Sequence, residues 1–279
     1  MTTVEVFAPA KINLTLHVTG QRDDGYHFLD SLVVFASVGD RLTLTDSGVA
    51  GLSVTGPFAP DVPTGPDNLV MRAAALLGAG AHIHLEKNLP VASGIGGGSA
   101  DAAAVVRGLA RLYGLPIPKT STLIGLGADV PVCMISQPVR MTGVGENLAR
   151  VRGGAVRLPM VLVNPMVPLS TPEVFRRLAR KDNAPMEDLG SWPDTTLGIA
   201  NWLSRQRNDL QDPARAVAPV ISDVLDALSA TKGCLLTRMS GSGATCFGIF
   251  SEDDLAEAAA RDLEGRFTGW WIKQSLASL

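Results

Sequence analysis

The sequence predicts an α+β fold built as two domains. Stretches with the period-two alternation of strands are mixed with stretches spaced as amphipathic helices. They do not follow the regular strand–helix–strand repetition of a doubly wound sheet. Two glycine-rich segments, one in each half of the chain, interrupt this pattern. The 279 residues are 46% hydrophobic and 18% charged, enough material for one large core or two moderate ones. A buried-looking strand, "VRLPMVLVNP", is expected to open the second domain, which divides the chain into residues 1–153 and 154–279.

Residues 4–18 alternate. Ile12, Leu14, Leu16 and Val18 share one parity, and Lys11, Asn13, Thr15 and His17 the other. That is a strand with an apolar side and a polar side. Asp24-Gly25 signals a turn, and "LDSLVVFASV" and "DRLTLT" read as further strands. Residues 47–66, rich in Gly and Pro, read as loop. "NLVMRAAALLGAG" reads as a helix and "AHIHLEKNL" as a strand. Then comes the glycine run "LPVASGIGGGSADAAAV", followed by a helical stripe of Ala102, Val106, Leu109 and Tyr113. Ser99 suits its N-cap, and Gly114 with Pro116 its stop. In the second half "TPEVFRRLARK" and "ISDVLDALSAT" read as helices, and "GCLLTRMSGSGATCFGIF" as strand, glycine turn, strand. "SEDDLAEAAARDLEGRF" reads as a helix capped by Ser251, and "GWWIKQSL" as a closing strand.

Charge and cysteine usage exclude several classes. The net charge is −3, with Lys and Arg scattered, which argues against a nucleic-acid partner. Cys133, Cys234 and Cys246 form no C-x-x-C pair and sit among apolar neighbours, so buried thiols are expected rather than zinc or disulfides. The opening "MTTVEVFAPAKINL" lacks the plan of a secretory signal, and no apolar run approaches the ~20 residues of a membrane helix. A cytoplasmic protein without a membrane partner, monomeric or a weak homodimer, is the expectation. His82 and His84 share a strand face without a third metal ligand nearby and read as exposed strand residues.

The glycine run matches neither a Walker loop, since no Lys follows it, nor the dinucleotide fingerprint, since position 99 is Ser. The physics of both still applies. Successive glycines let backbone N–H groups converge on an anion, and a helix start adds positive potential. Ser99 could offer a hydroxyl to a phosphate or its Mg²⁺. The alternative is a flexible turn or close helix–sheet packing.

"PVASGIGGGSADAA" resembles the second motif of the GHMP kinase superfamily of small-molecule kinases, and "MSGSGATCFGIF" is similar to its third. "APAKINLTLHVTGQRDDGYHFLDSLVVF" narrows the resemblance to the branch that phosphorylates 4-diphosphocytidyl-2-C-methyl-D-erythritol on its 2-hydroxyl, in the non-mevalonate route to isoprenoid precursors. "DNLVMRAA", "LGADVPVCM" and "NPMVPLSTPEVF" follow in the order of that family, which implies a non-regular connection over the weakly matching Lys181–Arg207. The resemblance implies an N-terminal mixed-sheet nucleotide-binding domain, a C-terminal ferredoxin-like domain, and an active site in the cleft between them. It implies ATP with Mg²⁺, and a small-molecule substrate carrying a cytidine diphosphate. Another GHMP kinase, for homoserine or a mevalonate-like substrate, is the second reading.

Asp129 lies among residues with almost no other polar function, so it reads either as a helix-end cap after Gly127 or as a functional acid. The resemblance implies the catalytic base, with Lys11 beside it to balance its charge and that of the transferring group. It further implies that Asn13 hydrogen-bonds the polyol end. Tyr26 and Phe175 would sandwich the cytosine, His27 would read its edge, and Thr171 would contact the same ligand. For ATP it implies Asn68 and Lys87 by the adenosine, Pro90, and Gly94, Gly96, Gly97, Gly98 and Ser99 on the phosphates. Asn68 otherwise reads as a helix cap, Lys87 as a solvated cation, and Asp101 as a complement to the helix dipole or an indirect Mg²⁺ ligand. Gly241, Ser242 and Gly243 read either as a hairpin turn or as backbone brought close to a ligand.

Overall fold

The structure, a computed structural model, describes residues 2–151, 156–188 and 192–279. The domain boundary expected at 153/154 lies outside the described residues. The chain groups into two compact units: Met1–Lys11, Val38–Val91 and Gly96–Ser136 in the first, and Ile12–Ser37, Ala92–Ile95 and Gln137–Leu279 in the second.

The elements run β1 (Thr3–Asn13), β2 (His17–Gln21), β3 (His27–Asp46), β4 (Gly51–Thr55), α1 (Leu69–Leu77), β5 (Ala81–Glu86), α2 (Gly97–Tyr113), α3 (Thr120–Ile124), α4 (Val130–Ile135), β6 (Val139–Gly143) and β7 (Asn147–Arg150). They continue with β8 (Arg157–Asn164), α5 (Thr171–Arg176), α6 (Thr196–Ser204), α7 (Gln211–Val217), α8 (Val220–Ser229), β9 (Cys234–Met239), β10 (Cys246–Phe250), α9 (Asp253–Arg266) and β11 (Trp271–Ser278).

In the first unit the end of β3 pairs antiparallel with β5, Leu42 opposite Leu85 and Leu44 opposite Ile83, and β4 pairs parallel to β5. These side chains form a core with α2, whose Ala100 to Val106 are buried in unbroken succession. The run of small alanines lets the helix be covered on more than one face. It packs against both α1 and α4.

In the second unit Asp24-Gly25 turns the β2–β3 hairpin, His17 opposite Asp30, and the start of β3 also pairs with β6, which pairs with β7. A separate antiparallel sheet has the order β11-β8-β10-β9. With α8 before β9, and α9 between β10 and β11, this is the ferredoxin-like arrangement. Phe250, Val161, Val163, Ile221, Val224, Leu228, Leu263 and Ile272 are buried together in its core. Each side chain of this size contributes about 1.5–3 kcal/mol on leaving water.

Several elements differ from the sequence reading. The two strands expected from residue 29 onward are one 20-residue strand. Residues 47–66 contain β4 and a turn of 3-10 helix, because β5 offers a paired edge that local composition does not reveal. The connection 181–207 contains α6, capped by the Thr195 hydroxyl on Gly198 N. The α5 helix spans only Thr171–Arg176. Glu252, not Ser251, holds the N-cap position of α9. The polar parity of residues 11–17 does not face solvent: Lys11, Asn13, Thr15 and His17 are 4% exposed or less.

Candidate active site

Within the first unit, Lys11 Nζ donates to Asp129 Oδ2 at 2.7 Å. The lysine side chain is 5% exposed and the aspartate 35%. Asp129 stands at the N-cap position of α4, yet its side chain makes no capping bond. Among the described residues Oδ1 accepts no hydrogen bond, so one carboxylate oxygen is committed to the lysine and the other is available to a proton donor. Nearby, burial pushes the Cys133 thiol up to about 12, with the Asp129 charge adding to the effect, which leaves the sulfur protonated and unreactive.

The glycine run forms the approach to α2. Gly96 holds the N-cap position in the left-handed region, φ +65°, and a Cβ there would lie 3.2 Å from Lys11 Cβ. The lysine stem therefore passes beside the helix start. Gly94, φ +77°, belongs to the second unit, where a Cβ would come within 2.6 Å of the Gly243 and Ser240 carbonyl oxygens. Neither position accepts a side chain. Ser99 is not the N-cap but the third residue of the helix, and its Oγ lies 3.7 Å from where a Cβ on Gly127 would stand. This sets the serine near the turn that carries Asp129. The first N–H groups of a helix lack intrahelical partners and carry the positive end of its dipole. Gly97, Gly98 and Ser99 supply those groups here.

Lys87 is not solvated. Its ammonium donates to Asp40 Oδ2 at 2.5 Å and to Asp101 Oδ2 at 2.7 Å, with all three side chains buried. Burial works against the lysine's charge, but the two carboxylates outweigh it and hold its pKa above the usual value. Asp40 is further held by Asn88 N and Leu89 N on Oδ1. Burial pushes Asp101 up to about 8. Burial therefore favours the neutral form of Asp101, while Lys87 stays charged. Lys87 Nζ lies 3.1 Å from where a Cβ on Gly97 would be, directly under the helix start. Asn68 caps α1 through Val70 N at 2.8 Å. Pro90 is buried, three residues beyond Lys87.

The second unit holds the other expected residues. The His27 and Phe175 rings stack at 4.8 Å between centroids. Tyr26 is 63% exposed. Burial, then the charge of Lys181, lowers the His27 pKa, so its ring is neutral, and its buried Nε2 has no partner among the described residues. Thr171 Oγ1 and Ser242 Oγ lie 2.7 Å apart. Asn13 donates through Nδ2 to Ser31 Oγ, and its backbone N donates to Ser240 Oγ.

Family models support one assignment. "GHMP kinases N terminal domain" matches residues 68–138, and "GHMP kinases C terminal" matches 197–268. A Cereibacter sphaeroides protein named 4-diphosphocytidyl-2-C-methyl-D-erythritol kinase is 56% identical over 270 residues, 96% of this chain and 97% of its own length. The chain belongs to the 4-diphosphocytidyl-2-C-methyl-D-erythritol kinase family of GHMP kinases. A relative of the same name from Dinoroseobacter shibae is 57% identical over 269 residues, 95% of this chain and 92% of that one. The crystal structure of 4-(cytidine 5'-diphospho)-2C-methyl-D-erythritol kinase matches with a TM-score of 0.77 at 34% identity, covering 98% of this chain and 99% of that one. Homoserine kinase from Cytophaga hutchinsonii, at 16% identity and a TM-score of 0.68, shares the GHMP kinase fold.

Sequence reasoning passed over several residues of this GHMP kinase. Asp40 opens the "DRLTLT" strand segment, and nothing local in the sequence singles it out. Arg238 is buried, and its guanidinium donates to the Leu14, Leu203 and Gln206 carbonyls, pinning the end of α6. Burial pulls its pKa down to about 10. Ser31 and Ser240 bond through single hydroxyls, which leave no sequence pattern. His82 and His84 bond the Ser53 and Thr55 hydroxyls of β4, and among the described residues no group of three His, Cys, Asp or Glu could hold a metal ion.

Proposed function

We propose that this chain transfers the γ-phosphoryl group of ATP to the 2-hydroxyl of 4-diphosphocytidyl-2-C-methyl-D-erythritol, in the non-mevalonate route to isoprenoid precursors. The carrying observation is the 2.7 Å Lys11–Asp129 pair, whose lysine stem lies against Gly96 at the start of α2. The hydroxyl oxygen bonds to the γ-phosphorus as the bond to the β–γ bridging oxygen breaks, and ADP departs with that oxygen. The hydroxyl proton passes to Asp129 Oδ1. Lys11 offsets negative charge on the aspartate and on the moving phosphoryl group. The N–H groups of Gly97, Gly98 and Ser99 receive the phosphate oxygens, with Gly94 and Gly96 shaping the loop.

Mg²⁺ suits this arrangement, since it is usually held by phosphates and waters with few protein ligands. The Ser99 hydroxyl is the protein oxygen we assign beside it, and the ion would neutralise phosphate charge. Asn68 and Pro90 border the adenosine. Lys87 acts there through its backbone, because its ammonium is bonded to Asp40 and Asp101. Tyr26, His27, Phe175 and Thr171 hold the cytidine, and Asn13 a polyol hydroxyl. Residues 1–153 and 154–279 are taken as the two family domains, consistent with the ranges matched by the two family models. The partner is a small molecule, with neither nucleic acid nor membrane involved. The setting is cytoplasmic, and the protein a monomer or weak homodimer. Among the described residues no helix is long and apolar enough to cross a membrane. The homoserine or mevalonate-type alternative has less support, because the relatives of that kind share the fold at 16% identity or less.

Product analysis tests the proposal. The 2-hydroxyl sits on a carbon without hydrogen, so its phosphate gives a ³¹P resonance unsplit by a proton on the attached carbon. A split resonance places the phosphate on another hydroxyl and overturns the regiochemistry.

A further inference from the structure

We infer that Ser31 is a positioning residue that turns Asn13 so that its amide oxygen, not its nitrogen, meets the substrate. Position 13 then demands a hydroxyl donor. The inference rests on the proposed substrate only for the identity of that hydroxyl.

The argument is one of hydrogen-bond direction. Ser31 Oγ lies 2.5 Å from the Thr15 carbonyl oxygen, which can only accept, so the single hydroxyl hydrogen is spent there. Toward Asn13, 2.8 Å away, Ser31 Oγ can therefore only accept. The group of Asn13 that faces it must be the NH₂, which settles an amide orientation that shape alone leaves open. Oδ1 then points the other way. It is buried and has no partner among the described residues, in a side chain belonging to a residue 1% exposed. The main chain is pinned as well: Asn13 N donates to Ser240 Oγ at 3.1 Å, and Ser240 Oγ donates to the Gly94 carbonyl at 3.2 Å. A Cβ on Gly241 would stand 3.4 Å from Oδ1, so a side chain there would crowd the approach to the acceptor.

A buried acceptor left unmade is costly, and a donor that reaches it is favoured correspondingly. An alcohol O–H can satisfy it, whereas an ether or phosphoryl oxygen cannot. The donor is a hydroxyl of the methylerythritol other than the reacting one, whose proton goes to Asp129. Ser31 is thus a specificity element that touches no substrate.

Two readouts test this. With asparagine ¹⁵N-labelled, the Asn13 side-chain amide, identified by its loss in Asn13→Asp, exchanges its protons slowly in the native chain. Ser31→Ala speeds that exchange about tenfold or more, and Ser31→Thr restores it. If the alanine variant does not accumulate, Ser31→Cys, with a weakly accepting sulfur, gives an intermediate rate. In steady-state assays Ser31→Ala raises KM for the cytidine substrate about tenfold and leaves KM for ATP unchanged. Exchange unaffected by Ser31→Ala, or equal rises in both KM values, overturns the inference. Ser31-dependent exchange in a protein that does not turn over this substrate overturns the substrate reading and upholds the orientation of Asn13.

Discussion

Lys11 and Asp129 are separated by 118 positions in the sequence and meet at 2.7 Å. The contact is made by a strand residue on the polar parity of β1 and by the residue just before α4. Among the described residues, Asp129 accepts no other side-chain hydrogen bond. The lysine is buried and the aspartate 35% exposed, so solvent screens the pair only in part. In the proposed function the pair places a proton acceptor next to a cation.

Asp129→Asn keeps the shape of the side chain and removes the proton acceptor. Turnover should fall by about 10²–10⁴-fold, the range for loss of a general base. ATP binding, measured by calorimetry, should stay near that of the parent chain. Turnover within a few-fold of the parent would take the proton-accepting role away from Asp129.

The buried Asp40–Lys87–Asp101 group makes a prediction about stability. Lys87→Met strands the Asp40 charge in the interior and should cost about 3–5 kcal/mol in urea denaturation. Asp101→Asn should cost far less near neutral pH, because burial already pushes that carboxyl up to about 8 and favours its neutral form. A raised carboxyl pKa means stability declines as pH rises from the unfolded value of 3.8 toward 8. The asparagine variant should therefore lose less stability than the parent on going to alkaline pH. Equal damage from the two substitutions at neutral pH would argue against a neutral Asp101.

His17 predicts the acid side. Arg207 N donates to His17 Nε2 at 3.2 Å, so Nε2 must be unprotonated, and Nδ1 carries the hydrogen toward the Ala184 carbonyl. Burial first, and Arg207 second, lower its pKa below 6.5, outweighing Ala184, Asp209 and Asp30, which raise it. With the folded value depressed, the stabilising contribution is complete above 6.5 and is lost as pH falls toward the folded pKa. As pH falls from about 7.5 to about 5.5 the parent should lose stability from this residue, and His17→Gln should lack that loss. Parallel pH profiles for the two proteins would show that His17 does not titrate differently on folding.

The strand parity of Lys11 and Asn13 and the glycine run were legible as local signals, but parity did not show that the polar side is buried. The family resemblance then tied Asp129 to Lys11 across a distance no local pattern spans. Ser99 misled as an N-cap because Gly96, left-handed at φ +65°, starts the helix earlier on bare glycines, where a serine preference has no purchase. Strand β4 was hidden by its Gly and Pro flanks, since what makes it a strand is pairing with β5. Asp40, Ser31 and Arg238 were silent for a common reason. Each is identified by its partners, a lysine 47 positions away, a carbonyl 16 away and a carbonyl 224 away, and a single sequence encodes none of those pairings.

The most direct measurement is ADP release from ATP with a panel of alcohols: 4-diphosphocytidyl-2-C-methyl-D-erythritol, free 2-C-methyl-D-erythritol, homoserine and mevalonate. The account expects kcat/KM for the cytidine-bearing alcohol to exceed each of the others by about 100-fold or more, since only it can use base stacking worth ~1–3 kcal/mol and the further polar contacts of the second unit. Homoserine or mevalonate turned over as well as the cytidine compound, or better, would contradict it.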